Sequence, residues 1–432
     1  MEGISVPDAP RCLIPTSPSP APGADASRPL FVGSEVGALR RVIVHRPGGE
    51  LRRVTPKNKR ELLFDDVVWV NRARREHDAF VAAMRSRGVE ILYLHELLAQ
   101  TLAIADVRDS VIRDTLQTER VEPELRPPLA AWLSALPAPD LAEWLVRGIT
   151  LRELPLGSRS GLQAANLGAG ETFVVTPLPN HVYTRDTSAW AYGGVSVHRM
   201  AKPSRRRESI HINAIYAHHP EFGGSEYHRW GGDPAGGESL EGGDILVIGN
   251  GCVLVGFGER TRPAAIERYA RRLLSARAAT RVIAVALPVK RSTMHLDTVM
   301  SMVDTDAFVI TGALRDSLVG HSIVEGRGAL RVTREDDLFG AISRALDLPR
   351  LRLLTAGPSD SVSRREQWEM GNNTLALAPG VVVAFEHNTA TNSCLEAAGV
   401  EVLTVPGSEL ARGHGGPRCM SCPIERAGVS WR

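Results

Sequence analysis

A glycine-rich segment near the end of the sequence, GHGGPRCMSCP at residues 413–423, contains two cysteines three positions apart. Such a segment could bind a metal, form a redox pair or present a nucleophile. A structural zinc site needs two further Cys or His ligands at matching spacing, but Cys12, Cys252 and Cys394 are isolated. A redox pair normally lies at the start of a helix that follows a strand. This segment does not have that pattern. A nucleophilic thiolate of Cys419 on a tight loop is therefore favoured.

Four segments share a pattern in which an acidic or amide residue precedes an apolar, strand-forming run. Apolar runs on both sides of a turn are typical of β-hairpins. If these units converge, their leading side chains face one pocket, where several carboxylates are costly to desolvate unless a cation lies between them. For any single aspartate, a turn-capping role is the ordinary alternative. Each leading residue is seven positions before its turn, in the pairs Asp186 and Gly193, Asp244 and Gly251, Asp297 and Asp304, and Asn373 and Gly380.

Further reactive or polar residues accompany these units. Glu241 is followed by two glycines, which allow close approach of the backbone. In MHLD, His295 and Asp297 are two positions apart, so on an extended strand they share one face. Asn180 and Tyr183 come just before the first acidic unit. A lone histidine is more often structural, but paired acids and a loop cysteine favour a catalytic one.

These residue types together define a reaction. Two carboxylates hold a planar cation, a thiolate attacks it and a histidine transfers protons. The cation that matches paired carboxylates best is a guanidinium, which forms forked hydrogen bonds with them. The residues therefore predict hydrolysis of a C–N bond in a guanidino compound.

The composition excludes several other classes of protein. The 432 residues are 43% hydrophobic and carry a net charge of +2, which gives no electrostatic case for nucleic-acid binding. No apolar run approaches the roughly 18 residues that span a bilayer. Residues 1–30 are rich in Pro, Ser and Ala and lack a secretory pattern, so we expect a disordered tail. Five cysteines, few and odd in number, favour a reduced, cytoplasmic protein.

The pattern predicts an α/β fold. A fifth unit can be assembled from the strand 39–48, the helix 71–88 and the strand 89–94, and unequal spacing between units favours a closed radial arrangement over a solenoid. Helical periodicity, with no glycine between Leu97 and Arg147, predicts an all-helical insertion at 97–160. The remaining residues, 31–96 and 161–432, would form one catalytic domain. A helical domain with its own activity is disfavoured because the insertion has no cluster of His, Cys or paired acids.

Beyond these patterns, the sequence resembles bacterial arginine deiminases, members of the guanidine-modifying enzymes. The resemblance covers nearly the whole chain after about residue 30. The motifs that carry it follow one another in order: LLFDDVVWV (62–70), PLPNHVYTRD (177–186), LEGGD (240–244), GNGCVLVGFGERT (249–261), MHLDTV (294–299), REQWEMGNN (365–373) and SELARGHGGPRCMSCPI (408–424). The resemblance implies a five-bladed, pseudo-symmetric α/β propeller with a helical insertion.

The resemblance also implies a reaction and a role for each matching residue. L-Arginine would be hydrolysed to L-citrulline and ammonia through an S-alkylthiouronium intermediate on the cysteine, with no metal or organic cofactor. A free amino acid would be required, so agmatine should be a poor substrate, and a homo-oligomer, dimer or tetramer, is expected. The implied roles are Cys419 as nucleophile, His295 as general acid and base, Glu241 as its partner, Asp186 and Asp297 as guanidinium ligands, and Asn180, Tyr183, Arg205, Arg260, Gly413 and His414 as further substrate contacts.

The sequence departs from the family pattern at two of these positions. Many members have arginine where this chain has His414. We therefore expect the opening and closing of the cysteine loop to differ here. Because an imidazole titrates near neutrality, we also expect this loop to be held closed in a pH-dependent way. Tyr183 replaces a common phenylalanine and keeps an aromatic face for the guanidinium. Cys422 has no implied role, and a buried structural thiol is the favoured interpretation.

Two other functions remain open at this stage. Another guanidine-modifying enzyme, such as an amidinotransferase or a dimethylarginine hydrolase, is disfavoured by the presence of Arg205, Arg260 and both aspartates. An inactive arginine-binding sensor is disfavoured because the nucleophile and the base are both present.

Overall fold

The computed structural model describes residues 30–154, 172–223, 226–231, 237–356 and 360–429. The predicted disorder of residues 1–30 falls outside these ranges, apart from Leu30, which is buried. The described chain is a mixed α/β fold of several small sheets, as the sequence predicts.

Most strands are short and apolar. In the described ranges they are β1 (Leu39–Val44), β2 (Glu90–Tyr93), β3 (Ile149–Thr150), β4 (Phe173–Val175), β5 (Ser188–Ala191), β6 (Gly194–Val197), β7 (His228–Arg229), β8 (Ile245–Gly249), β9 (Cys252–Phe257), β10 (Arg281–Ala286), β11 (Met300–Asp304), β12 (Ala307–Ile310), β13 (Val319–Glu325), β14 (Leu330–Glu335), β15 (Arg352–Leu354), β16 (Leu375–Ala378), β17 (Val381–Phe385), β18 (Glu401–Val405) and β19 (Cys422–Arg426).

The helices lie between these strands. They are α1 (Val70–Arg85), α2 (Leu94–Leu102), α3 (Ala105–Thr118), α4 (Arg126–Ala135), α5 (Ala138–Arg147), α6 (Glu208–His218), α7 (Pro220–Gly223), α8 (Pro263–Ser275), α9 (Leu338–Ala345), α10 (Asp360–Trp368) and α11 (Thr389–Ala397). Among the described residues, none of the helices has the length and apolar character that a membrane span requires.

Five of the sheets repeat one arrangement, in which an antiparallel pair is joined by a third strand parallel to the middle one. The four predicted hairpins are confirmed as β5–β6, β8–β9, β11–β12 and β16–β17. Their third strands are β7, β10, β15 and β18, and the sheet of β8 to β10 continues into β13 and β14. A parallel third strand needs a crossover, and helices such as α8 and α11 lie in these connections.

The tight turn of the β8–β9 hairpin follows from its Asn-Gly sequence. Asn250 and Gly251 both have positive φ, 47° and 71°, which a two-residue hairpin turn of the primed type requires. A Cβ at Gly251 would also lie 2.9 Å from Oγ1 of Thr280. Glycine therefore serves both the backbone conformation and the close packing of the turn.

The fifth sheet joins the two ends of the described chain. The predicted unit of β1, α1 and β2 is present, and its antiparallel partner is β19, which the sequence analysis did not identify. Ile43 lies opposite Cys422, and Leu39 lies opposite Arg426. This pairing fixes the segment immediately after Cys419 against the start of the fold.

The helices predicted within residues 97–160 are present as α3, α4 and α5, and α2 begins at Leu94. Their buried apolar side chains share one cluster with α6 and strands β5 and β6, and Leu98, Leu145, Ile212 and Tyr216 all belong to it. The helical segment therefore packs into the core of the neighbouring sheet.

Several histidines are buried around the first sheet. His181 and His211 stack, with 2.9 Å between Nε2 and Nδ1, and the ring of His45 lies 5.3 Å from that of His181. Burial, followed by the charge of His45, lowers the pKa of His77 to about 3. The folded state therefore holds His77 neutral at pH values where the unfolded chain would protonate it.

His77 should make the fold sensitive to acid. Its lowered pKa stabilises the folded state above about pH 6.5, and that contribution is lost as the pH falls toward 3, by at most about 1.4 kcal/mol per pH unit. We expect His77→Leu to show a smaller loss of unfolding free energy between pH 7 and pH 4 in urea titrations. An unchanged dependence on pH would contradict this account of His77.

Candidate functional site

Cys419 lies just before β19 and is buried. Its backbone N–H donates to Oδ1 of Asn373 at 3.0 Å, and its Sγ lies 3.6 Å from Oδ2 of Asp297. Burial raises the pKa of the Cys419 thiol, and the carboxylates of Asp297 and Asp186 raise it further. The thiol is therefore protonated near neutral pH while these carboxylates have no additional cation beside them.

His295 lies between Asp186 and Glu241. Its Nε2 lies 2.7 Å from Oε2 of Glu241, and its Nδ1 lies 3.6 Å from Oδ1 of Asp186. Burial opposes the charged imidazole, but the Asp186 carboxylate, the hydrogen bond to Glu241 and the charge of Asp244 raise the pKa of His295 to about 9. The buried imidazole is therefore charged near neutral pH and can donate a proton.

The local backbone of His295 differs from the sequence prediction. MHLD is not an extended strand, because Leu296–Thr298 forms a 3-10 turn that begins directly after His295. The predicted sharing of one strand face is therefore wrong. The two side chains still reach one site, because the turn directs Asp297 toward Cys419 while His295 contacts Glu241. Asp244 supports this turn by accepting the Leu296 N–H at 2.9 Å.

The two glycines after Glu241 are required by close packing, as the sequence analysis expects. A Cβ at Gly243 would lie 2.5 Å from Nδ1 of His295, and a Cβ at Gly242 would lie 2.0 Å from the Arg185 carbonyl oxygen. Real side chains do not approach so closely. Glycine at both positions therefore lets the turn carrying Glu241 pack directly against the histidine.

In each site aspartate, one oxygen accepts a hydrogen bond from an arginine and the other accepts no hydrogen bond. Arg205 Nη1 donates to Asp186 Oδ2 at 2.5 Å, and Arg418 Nη1 donates to Asp297 Oδ2 at 2.7 Å. The Oδ1 atoms of both aspartates are buried and have no hydrogen-bond partner among the described residues. A buried carboxylate oxygen without a partner is unfavourable, so the site is poised to accept N–H donors from a bound cation.

The residues expected to hold the rest of the substrate lie nearby but have protein partners. Arg205 also donates to Glu208, with Nη2 to Oε2 at 2.9 Å. Arg260 Nη1 donates to Glu241 Oε2 at 3.3 Å. Asn180 Nδ2 donates to the Leu62 carbonyl at 2.8 Å. The predicted residues are thus brought together, and their polar groups are already engaged.

Tyr183 packs against the glycine-rich loop. Its hydroxyl donates to the Leu410 carbonyl at 2.7 Å. A Cβ at Gly413 would lie 2.2 Å from the hydroxyl oxygen, and a Cβ at Gly415 would lie 2.3 Å from Cε1 of the ring. The glycines of this loop therefore allow it to lie flat on the tyrosine, beside the thiol.

His414 does not titrate near neutrality in this arrangement. It is 1% exposed, its ring centroid lies 4.5 Å from that of Trp368, and its Nδ1 lies 3.7 Å from Asp65. Burial, followed by the charges of Arg291 and Arg260, lowers the pKa of His414 to about 3. The expected pH-dependent closure, with an imidazole titrating near neutral pH, is therefore wrong for the closed loop, because the sequence does not reveal burial.

A small cavity reaches these groups. Its volume is about 10 Å³, which is room for about one water molecule. Its lining combines a carboxylate and a thiol with several arginines. The lining includes Asp186, Cys419, Tyr183, Arg205, Arg260 and Arg291.

Several contributors were not identified from the sequence. Arg418 directly precedes the nucleophile in the motif PRC, and this position could have identified it as a charged residue of the site. Glu35 and Glu208 hold the two arginines that contact the aspartates, and nothing local in the sequence marks them. Arg291 lines the cavity and donates from Nε to Asp65 at 2.8 Å.

One group of atoms in the described residues has the spacing of a metal site. Carboxylate oxygens of Asp186 and Glu241 and a ring nitrogen of His295 lie within 4.8 Å of one another. The same contacts form an acid–base pair, since the 2.7 Å separation of His295 and Glu241 is that of a charge-assisted hydrogen bond.

Cys422 is buried away from the cavity lining. Its Sγ lies 3.5 Å from Oγ of Ser188 and 3.8 Å from the hydroxyl of Tyr216. Burial raises the pKa of its thiol. This environment agrees with the interpretation of Cys422 as a structural thiol.

Comparison with known proteins places this site in a family. The arginine deiminase family matches the sequence over residues 60–426. An arginine deiminase of Rhodococcus opacus (strain B4) is 44% identical over 408 residues, which are 93% of this chain and 99% of that protein.

Two solved structures resemble the fold at low sequence identity. SxtG, an amidinotransferase from Microseira wollei in the saxitoxin biosynthetic pathway, has a TM-score of 0.53 and 14% identity, covering 94% of this chain and 100% of that one. The N-terminal domain of ArgZ, covalently bound to a reaction intermediate, has a TM-score of 0.52 and 12% identity, covering 90% and 99%. Since the family matches most of the sequence and the Rhodococcus protein aligns over nearly its whole length, the chain belongs to the arginine deiminase family.

Proposed function

We propose that this chain hydrolyses L-arginine to L-citrulline and ammonia. The observation that carries the proposal is the pair of buried, unpartnered Oδ1 atoms on Asp186 and Asp297 beside the Cys419 thiol and the His295–Glu241 pair. A guanidinium between the aspartates would donate to both oxygens and present its carbon to the sulfur. Family membership and the 44% identical arginine deiminase support the same substrate.

Binding of the substrate would activate the nucleophile. In the free site the carboxylates of Asp297 and Asp186 raise the pKa of Cys419. A bound guanidinium neutralises them and favours the thiolate. The thiol would therefore lose its proton chiefly in the complex, which limits its reactivity toward other electrophiles.

The first half of the reaction would release ammonia. The Cys419 thiolate attacks the guanidinium carbon, and a new S–C bond forms. The C–N bond to a terminal nitrogen then breaks while charged His295 gives that nitrogen a proton, so ammonia departs. An S-alkylthiouronium remains on the enzyme. ArgZ, which shares the fold, has been solved with a covalently bound reaction intermediate.

The second half would release citrulline. His295, now neutral and held by Glu241, takes a proton from water as the water attacks the same carbon. The S–C bond then breaks, giving the ureido group of L-citrulline and the free thiol. Glu241 stabilises the imidazolium that forms.

The arginines of the cavity lining would hold the amino-acid part of the substrate. Arg260 and Arg205 line the cavity together with Asn180, and their guanidinium groups suit a carboxylate. The present cavity is too small for arginine, and Arg205 lies against Asp186. Substrate entry would therefore require Arg205 to leave Asp186 and the loop of Gly413 and His414 to open.

We also propose that the five similar sheets form a five-bladed, pseudo-symmetric α/β propeller, because their strand orders correspond. In this view residues 97–160 are a helical insertion in a catalytic domain of 31–96 and 161–432. A homo-oligomer, dimer or tetramer, and a cytoplasmic location stay predictions.

Replacing the nucleophile should abolish the reaction. In Cys419→Ser we expect citrulline and ammonia formation to fall by at least about 10⁴-fold, because a hydroxyl is a far weaker nucleophile. Circular dichroism should show an unchanged fold. Cys422→Ser, three residues away in a polar buried environment, is the matched control and should retain turnover. Substantial activity in Cys419→Ser would refute the assignment.

Removing the charge of Glu241 should shift the pH dependence of turnover. Glu241 helps to raise the pKa of His295 to about 9, so in Glu241→Gln that pKa falls and less imidazolium is present above neutrality. We expect the basic limb of the kcat/KM profile to move to lower pH and kcat to fall by about 10²-fold or more. A basic limb at its original pH would argue against this role.

Arg260 should determine preference for a carboxylate. In Arg260→Ala we expect KM for L-arginine to rise roughly tenfold or more, since a charge-assisted contact is lost. Agmatine, which has no carboxylate, should be a poor substrate of both forms and should change little. The ratio of kcat/KM for arginine and agmatine should therefore shrink, and an unchanged ratio would place the carboxylate elsewhere.

A further inference from the structure

The segment before β1 contributes a buried carboxylate to the back of the site. Glu35 is 5% exposed and accepts hydrogen bonds from Arg418 Nε and Nη2, both at 3.1 Å. Its Oε1 also accepts the Val247 N–H at 3.2 Å. Glu35 thus fixes two of the three guanidinium nitrogens of Arg418.

The remaining nitrogen of Arg418 reaches the site. Nη1 donates to Asp297 Oδ2 at 2.7 Å, while Nη2 also donates to the Ile245 carbonyl at 2.7 Å. Asp297 Oδ1 is left buried and without a partner among the described residues. Arg418 is therefore held in a position where it pairs with only one oxygen of Asp297.

The ionisation of Glu35 depends on the arginines around it. Burial opposes the ionised form of Glu35, but Arg418, Arg185 and Arg426 together lower its pKa to about 2, so the carboxylate is charged. Arg185 and Arg426 are further cations beside this group, so the geometry of Arg418 decides what Asp297 can bind. Arg418 is shared between two carboxylates and leaves Asp297 Oδ1 open to a further N–H donor.

The opposite aspartate has the same kind of support. Arg205 contacts Asp186 and is held by Glu208, with Nε to Oε1 at 3.1 Å and Nη2 to Oε2 at 2.9 Å. Each site aspartate therefore shares its arginine with a second, buried glutamate. The repetition indicates that partial neutralisation of the aspartates is a property of the site.

We propose that Glu35 is a positioning residue that determines the preference of this site for a cationic head group. By holding the Arg418 fork, it keeps Asp297 Oδ1 available to the guanidinium of the substrate. Without Glu35, the guanidinium of Arg418 is free to turn both of its terminal nitrogens to Asp297 and to compete with the substrate. The inference rests on the proposed function, because it takes the guanidinium of arginine as the cation.

The test compares two ligands that differ in the charge of the head group. L-Arginine has a guanidinium, whereas L-citrulline has a neutral ureido group and the same amino-acid part. Dissociation constants for both are measured by isothermal titration calorimetry in Cys419→Ser, with and without Glu35→Gln. We expect arginine to bind about tenfold more weakly in Glu35→Gln, and citrulline to change less than about twofold. A merely structural role would weaken both ligands equally, and that result, or no change for arginine, would overturn the proposal.

Glu119→Gln is the matched control. Glu119, directly after α3, also holds a buried arginine, with its Oε1 accepting from Arg207 Nε at 2.6 Å. It has no hydrogen bond or ion pair with Asp186 or Asp297 among those of the described residues. The ratio of arginine and citrulline affinities should therefore stay at its parent value. A tenfold fall in this control would show that loss of any buried glutamate is sufficient, which would refute the specific role of Glu35.

Glu35→Gln leaves buried arginines without their carboxylate, so a charge-balanced form is also tested. Glu35→Gln/Arg426→Gln removes one charge of each sign and leaves Arg418 without its carboxylate partner. The same tenfold selective loss of arginine affinity is expected there, and an unchanged ratio in a folded double variant would overturn the proposal.

Citrulline formation by the unaltered chain is tested first. Its absence would refute the proposed function, whereas an active chain with an unaltered ratio would refute this inference alone.

Discussion

The constraint on which this structure depends is the burial of two aspartates beside a thiol. Asp186 and Asp297 lie close to Cys419 and His295 in the interior, where like charges repel and lose hydration. Each aspartate is therefore compensated by an arginine. Because each arginine is in turn shared with a glutamate, it donates to only one oxygen of its aspartate, and the other oxygen can accept a donor from a bound cation.

These open carboxylate oxygens link binding to reactivity. The same carboxylates keep the thiol of Cys419 protonated and the imidazole of His295 charged. A cation that pairs with them favours the thiolate and makes the imidazolium a stronger acid, which the release of ammonia uses. Recognition of the substrate and activation of the nucleophile thus depend on the same oxygen atoms, and no separate activating residue has to be placed in the site.

Local features of the site could be predicted from sequence, but long-range ones could not. Hairpin turns such as Asn250-Gly251 and the convergence of Asp186, His295 and Cys419 follow from short motifs and their repetition. The partnership of Glu35 and Arg418 crosses 383 positions, and no local pattern reports it. The backbone of MHLD and the pKa of His414 were mispredicted because a 3-10 turn and burial are properties of the packed chain.

Strand β19 was missed for a related reason. CPIER has a proline and little alternation, so its strand character depends on β1 rather than on intrinsic preference. Without β1 as its partner, the sequence CPIER does not distinguish a strand from a loop.

The pairing of β19 with β1 has a consequence for how the enzyme is made. Leu39 and Arg426 are register partners, so this sheet closes a loop of nearly the entire polypeptide, a slow step in folding. The strands of the other four similar sheets all precede β19 in the chain and are synthesised before it. Cys419 lies three residues before β19 begins, so the nucleophile is held in its site only once this strand has paired with β1.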